Sequence, residues 1–393
     1  MERVLSSELA AHAGEEVLLQ GWLHRQRRLA NVSFLVLRDR AGLAQVVLSE
    51  PVELLPETVL EVRGRVVTEP QLELHDAAVT VLSAPVEPPP VELYRPEPKE
   101  TLPFRLDHAP VALRHPAVRD RFALAAKAVH AFREALDGLG FVEIQTPKLV
   151  GAATEGGANV FRIDYFERDA YLAQSPQLYK QVMVGALERV YEIGPAFRAE
   201  PHETARHLSE FTSLDAELGF IRDQRDVMAV VEQCALAMLA AVGQPASGPI
   251  PIVQFRDVRS GEEPDLAPED ERRICEEHGE LVFVEGFPTA KRAFYTHPGP
   301  EPEWSTGFDL LYRGLEIVSG SQRLHRYEDY VAALESRGLD PASFEGYLEA
   351  FRFGMPPHGG FALGLPRFMG QVLGLHNLRE TTLFPRDRNR LTP

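Results

Sequence analysis

Two absences narrow this 393-residue chain before any motif is considered. It contains no G-x-x-x-x-G-K-[ST] run and no G-x-G-x-x-G run, so the phosphate-cradling loops of the two commonest nucleotide folds are missing. Cysteine is nearly absent as well. Cys234 and Cys275 cannot build a disulfide framework; each is expected to rest in a helix, in a reducing cytoplasm. No run of about 18 apolar residues is present, so no membrane span is expected. The start, Met1-Glu2-Arg3-Val4-Leu5, lacks an apolar signal core. Positive charge is in short supply too. The formal net charge of −17 argues against general affinity for nucleic acid. The exception is residues 21–40, where Arg25, Arg27, Arg28, Arg38 and Arg40 stand against Asp39 alone, a local basic face able to bind RNA.

What is present reads as three stretches. Residues 1–85 alternate apolar and polar positions in short runs, with strands expected at 15–24, 32–38, 43–49, 58–68 and 77–83. Five strands in that length fit an OB-type barrel, with an SH3-like barrel as the alternative. Residues 86–105 are proline-rich, including Pro88-Pro89-Pro90, and are expected to form a stiff connector. Residues 106–393 mix helices and strands without regular alternation, which favours an antiparallel sheet flanked by helices over a doubly wound parallel one. The fold class is therefore α+β. A long helix is expected from Pro116, with Val118, Phe122, Ala125, Val129, Phe132, Leu136 and Leu139 as its buried stripe. Ser175-Pro176 should start another helix, and a third should run over 223–242.

Several constellations carry chemistry. In Phe197-Arg198-Ala199-Glu200, Arg and Glu two apart on a strand would share a face, one for a phosphate and one for an exocyclic amine. Gly364-Leu365-Pro366-Arg367 supplies a second arginine in a glycine-rich context. Asp309 and Glu316 could meet across a hairpin turned at Arg313-Gly314; with Ser319 they are hard oxygen donors suited to Mg²⁺. Taken alone, they read as solvated strand carboxylates. Glu155, between Thr154 and Gly156-Gly157, suits a loop over a small ligand or an ordinary surface turn. Lys180 shares a helix face with Gln177. A lysine so near a helix start works against the macrodipole, so by default it faces solvent unless an anion meets it.

Together these segments resemble the class II aminoacyl-tRNA synthetases of the aspartyl/asparaginyl/lysyl subgroup, over essentially the whole chain. Gly140 to Pro147 resembles motif 1, residues 191–217 motif 2, and Gly360 to Arg367 motif 3. The resemblance implies an ATP site: Arg198 on the α-phosphate, Glu200 on the adenine amine, and His207 on the outer phosphates. Phe211 and Arg367 would lie on the two faces of adenine, with Gly364 beside them. It further implies Mg²⁺ on Asp309, Glu316 and Ser319, and a homodimer with Pro147 at the interface. For the amino acid it implies Glu155, Ser175, Gln177, Lys180, Asp215, Ser319 and Arg323. Two cations, Lys180 and Arg323, favour L-aspartate over asparagine. The short interval between motif 2 and Asp309 matches the compact archaeal/eukaryotic type.

In the barrel the resemblance implies anticodon contacts at His24, Arg25, Phe34, Gln45 and Pro70, with Phe34 stacking a base. His24 and Pro70 match the relaxed form, which charges tRNA(Asp) and also tRNA(Asn); an amidotransferase would then convert the latter product. Three alternatives stay open: an asparaginyl enzyme, a relative of asparagine synthetase acting on free amino acids, and an OB-fold RNA-binding protein with a dead catalytic domain.

Overall fold

The computed structural model describes residues 1–151, 159–201, 204–261 and 263–392. It divides into two compact units, Met1–Arg119 and Asp120–Pro393.

The first unit is a closed barrel of β1 (Glu16–Arg28), β2 (Ser33–Arg38), β3 (Leu43–Leu48), β4 (Val59–Val67) and β5 (Glu73–Ser83), joined in the order β1-β2-β3-β5-β4. Its interior is built by strict alternation on β2 and β3: Leu35, Leu37, Val46 and Leu48 point inward, while Phe34, Val36, Gln45 and Val47 lie on the other side. On β1 the alternation breaks. The pairing with β2 slips between Leu23 and Arg25, so Leu23 and His24 are both buried and Arg25 is exposed. This is the effect of a bulge, which re-aims one side chain. Two short helices follow, α1 (Leu102–Asp107) and α2 (Ala109–Ala112). The proline-rich stretch before them has no regular structure, although Val91 and Leu93 are buried against Ala112.

Long helix α3 (Pro116–Gly138) leads into the second unit. There β6 (Val142–Glu143) starts the large sheet, and β7 (Leu149–Val150), β8 (Arg162–Tyr165) and β9 (Arg168–Leu172) make a small separate one. The chain continues as α4 (Gln177–Leu187), β10 (Arg189–Phe197), β11 (Glu210–Gly219), α5 (Gln224–Ala241), β12 (Ile252–Gln254), α6 (Phe255–Val258), α7 (Pro268–His278) and β13 (Leu281–Glu285). It ends with β14 (Gly307–Tyr312), β15 (Leu315–Gln322), α8 (Tyr327–Glu335), α9 (Glu345–Arg352), β16 (His358–Gly364) and α10 (Leu365–Leu373). The sheet order is β12-β13-β14-β15-β16-β11-β10-β6. Every pairing from β13 to β10 is antiparallel, and the outermost pairs β12–β13 and β10–β6 are parallel.

One face of this sheet packs on α3 and α5. Phe132 and Leu136 of α3 meet Val227, Val231, Ala235 and Met238 of α5 over Leu214, Ala216, Leu310, Phe361 and Leu363. The alternate residues of the same strands, among them Asp309, Ser213, Asp215, Glu217 and Ala362, are therefore turned to the other face. The core residues of the strands thus fix where the polar ones point. Cys234 and Cys275 are buried free thiols in α5 and α7.

Candidate active site

On that second face, two adjoining cavities gather most of the expected residues. The first is lined by Arg198, Glu200, His207, Phe211, Glu316, Gly364 and Arg367, with Arg206 beside them. Arg198 and Glu200 do not lie on a strand as expected. β10 ends at Phe197, and the segment beyond it is held by Arg198 N donating to Ser209 O at 2.9 Å. The Arg198 guanidinium stands over the Phe211 ring, 5.4 Å from its centroid. Arg367 Nη1 lies 3.2 Å from both the carboxylate and the backbone carbonyl of Glu316, whose charge raises the arginine's pKa further.

The second cavity is lined by Ser175, Gln177, Asp215, Ser319 and Arg323. Arg198, Glu316 and Ser319 belong to both linings, so the two cavities share one wall. The helix does start here, with Pro176 before its first residue, and the Gln177 amide lies 3.3 Å from Ser175 Oγ. Lys180 does not face solvent, nor is it on the cavity surface. It is 1% exposed, with Nζ 3.0 Å from Asp215 Oδ1 and 2.9 Å from the carbonyl oxygen of Phe361.

Glu217, unremarked in the sequence except as part of motif 2, sits between the two cations. It is fully buried, accepts from Arg323 Nε at 2.8 Å, and lies 3.5 Å from Lys180 Nζ. Room for it comes from Gly360, where a Cβ would fall 2.1 Å from Glu217 Oε2. Burial pushes the Glu217 carboxyl up, but Arg323 and Lys180 outweigh it and hold the group below its usual value. Next to it, burial pushes His358 down to about 4. The pocket is thus a balanced set of two cations and two carboxylates, closed by buried side chains.

Asp309 and Ser319 are direct cross-strand partners on β14 and β15, and the hairpin turns at Arg313 and Gly314, both at positive φ. Burial pushes the Asp309 carboxyl up to about 6, against the pull of Arg292 and with Glu316 adding to the shift. Two carboxylates and a hydroxyl fit Mg²⁺ by donor chemistry. Among the described residues no cluster of three or more His, Cys, Asp or Glu is placed to hold a metal ion. A further carboxylate backs this oxygen set: Glu271 of α7 accepts from the Glu316 amide at 3.2 Å, and burial followed by Glu316 pushes it up to about 7.

Comparison with known proteins identifies the family. The family model described as tRNA synthetases class II (D, K and N) matches residues 101–388. The chain belongs to the class II aminoacyl-tRNA synthetases. It is 44% identical to the aspartate–tRNA(Asp/Asn) ligase of Thermus thermophilus, over the full length of both chains. It is 42% identical to the protein of the same description from Deinococcus radiodurans, over 100% of this chain and 99% of that one. Among solved structures, the asparaginyl-tRNA synthetase of Pyrococcus horikoshii complexed with asparaginyl-adenylate superposes with a TM-score of 0.92 at 30% identity, covering both chains completely. Members of this class are ligases that consume ATP, an amino acid and tRNA.

The rest of this synthetase's expected residues are distributed as follows. Glu155 lies outside the described residues. Pro147 is exposed between Thr146 and Lys148, which both bond to Glu192. On the barrel, Arg25, Val36 and Gln45 form one row across β1, β2 and β3, and Phe34 is half-buried in the row beside it, opposite Arg27. Gln45 donates to Glu73, which also accepts from Gln71 and bonds to His75 at 2.9 Å. Pro70 follows a cis peptide bond in the turn between β4 and β5. His24 differs from the others: it is buried, with Nδ1 3.4 Å from Arg38. Arg38 is no part of a basic face either. It is 3% exposed and forks onto Glu57 at 2.8 and 2.9 Å.

Proposed function

We propose that this chain is an aspartate–tRNA ligase. It activates L-aspartate with ATP to aspartyl-adenylate, and transfers the aspartyl group to tRNA(Asp) and also to tRNA(Asn). The shared wall of the two cavities carries the reading: a nucleotide in one and an amino acid in the other would meet at Arg198.

The chemistry asked of these residues is positioning and charge neutralisation. Phe211 and Arg367 hold adenine, Glu200 accepts from its amine, and His207 reaches the outer phosphates. An oxygen of the aspartate α-carboxylate attacks the α-phosphorus, and pyrophosphate leaves. Arg198 stabilises the negative charge that builds on the α-phosphate oxygens. Bringing the two reactants together on one wall supplies most of the remaining acceleration, so no general base is needed for this step. A tRNA terminal hydroxyl then attacks the activated carbonyl, and AMP departs. Asp309, Glu316 and Ser319 are the residues that would hold Mg²⁺, which when bound would offset phosphate charge.

Arg323 is the cation presented to the substrate side chain, and it favours a carboxylate over an amide. Lys180 acts from behind through Asp215 and Glu217. The competing reading, an asparaginyl enzyme, is favoured by the fit to the Pyrococcus structure. ATP–pyrophosphate exchange separates the two: aspartate should support it and asparagine should not. Exchange with asparagine alone would overturn the assignment.

The relaxed tRNA choice is supported by His24 and Pro70 and by the printed descriptions of the Thermus and Deinococcus relatives. Phe34, Gln45 and Arg25 would read the anticodon from the outer face of the barrel. The misacylated product calls for an amidotransferase partner in the cytoplasm. Exposed Pro147, near exposed Val142 and Leu149, is the proposed centre of a homodimer interface.

A further inference from the structure

Arg292 was not singled out by any sequence pattern, yet it occupies the position that the proposed metal needs. Its Nη1 lies 3.1 Å from Asp309 Oδ1 and 3.0 Å from Ser319 Oγ, and its Nη2 lies 2.9 Å from Asp309 Oδ2. Both oxygens of the carboxylate and the serine hydroxyl are therefore engaged by one guanidinium. The guanidinium stands over the Phe287 ring, its Cζ 3.8 Å from the centroid. Gly307 gives it room, since a Cβ there would stand 3.1 Å from Arg292 Nε. The backbone is tied separately: Arg337 Nη2 donates to the Arg292 carbonyl at 2.8 Å. The side chain can thus move without releasing this backbone contact.

A buried carboxylate needs a counter-charge. A guanidinium supplies one in bidentate form. A divalent cation on the same oxygens would be repelled by it at this range, so the two cations exclude each other. Arg292 also lines the second cavity, which offers a place for the displaced side chain.

We propose that Arg292 is an exchangeable counter-ion: it holds Asp309 and Ser319 in place before the metal arrives and is displaced into the amino-acid cavity when the metal binds. The inference rests on the reading of Asp309, Glu316 and Ser319 as metal ligands. Its consequence is that metal entry and the charge of the amino-acid cavity are linked, because the displaced guanidinium adds a cation beside Arg323.

Mn²⁺ binding to the full chain without nucleotide tests this, read from the paramagnetic resonance signal of free Mn²⁺. Arg292→Gln should bind Mn²⁺ about tenfold tighter than the unaltered protein, within the ordinary range for two competing ligands. Arg292→Lys, which keeps the charge without the fork, should fall between them and carries the test if the glutamine variant does not fold. Adding Asp309→Asn to either variant should abolish the gain. Equal or weaker Mn²⁺ binding in the Arg292 variants, with Asp309→Asn still removing it, would overturn the exchange while leaving the metal site standing. A gain that survives Asp309→Asn would place the ion elsewhere and overturn both.

Discussion

Glu217 accepts from Arg323 through Nε at 2.8 Å and Nη2 at 3.3 Å, with both side chains buried and Lys180 at 3.5 Å. Arg323 is thereby aimed before any substrate arrives. Glu217→Gln keeps the shape but removes the charge that aims it. The kcat/KM for aspartate in pyrophosphate exchange should fall about 100-fold, as for a displaced positioning contact. Most of that loss should lie in KM for aspartate, with KM for ATP little changed.

The same carboxylate has a pH signature. Its folded value lies below the unfolded one, so its contribution to stability is complete above the usual glutamate range and is lost as pH falls below about 4.5. The Glu217→Gln protein should be less stable at neutral pH, by about 3 to 5 kcal/mol for a broken buried ion pair. Urea melts of the two proteins should converge as pH falls through the acid limb.

Lys180→Met removes a fully buried ammonium, taking the paired cation from Asp215 and leaving Glu217 with Arg323. Aspartate-dependent exchange should be abolished. A variant that keeps normal KM for aspartate would show that Lys180 is a structural counter-ion only.

Arg198→Lys keeps a charge but loses the planar fork. Its kcat in exchange should drop about 10² to 10³-fold, as on removing one donor to a developing charge. Equal kcat with a raised KM for ATP would assign Arg198 to ground-state binding instead.

These residues differ in how far the sequence announces them. Arg198, Glu200 and Arg367 were legible because their chemistry is local to two short segments. Their backbone was not: the strand stops at Phe197, and Ser209 rather than a ladder partner holds Arg198. The default for Lys180 was solvent, since helix electrostatics sees only its own turn. The anion that meets it, Asp215, comes from a strand 35 residues away. Glu217 and Arg323 are 106 residues apart, so their pairing is a product of sheet order, not of spacing. β16 carries little strand signal of its own, because Gly359-Gly360 lowers strand propensity. The glycine at 360 is there to admit the Glu217 carboxylate. On the barrel, alternation located the strands, but only the family resemblance put Phe34 and Gln45 on the outer face, and neither showed the bulge that turns His24 inward.

His24 gives a test of that bulge. Burial, followed by Arg38, holds its pKa down to about 4. A histidine kept neutral in the fold costs stability as the unfolded chain takes up a proton, so the barrel should weaken as pH falls from about 6.5 toward 4. His24→Gln should flatten that limb, measured by melting at intervals across the range. An unchanged slope would mean that His24 is exposed in solution.

The most direct measurement is aminoacylation of purified tRNA(Asp) and tRNA(Asn) with labelled aspartate and, separately, labelled asparagine. Aspartate should appear on both tRNAs and asparagine on neither. Transfer of asparagine, or failure to charge either tRNA with aspartate, would contradict the assignment; aspartate on tRNA(Asp) alone would contradict the relaxed specificity.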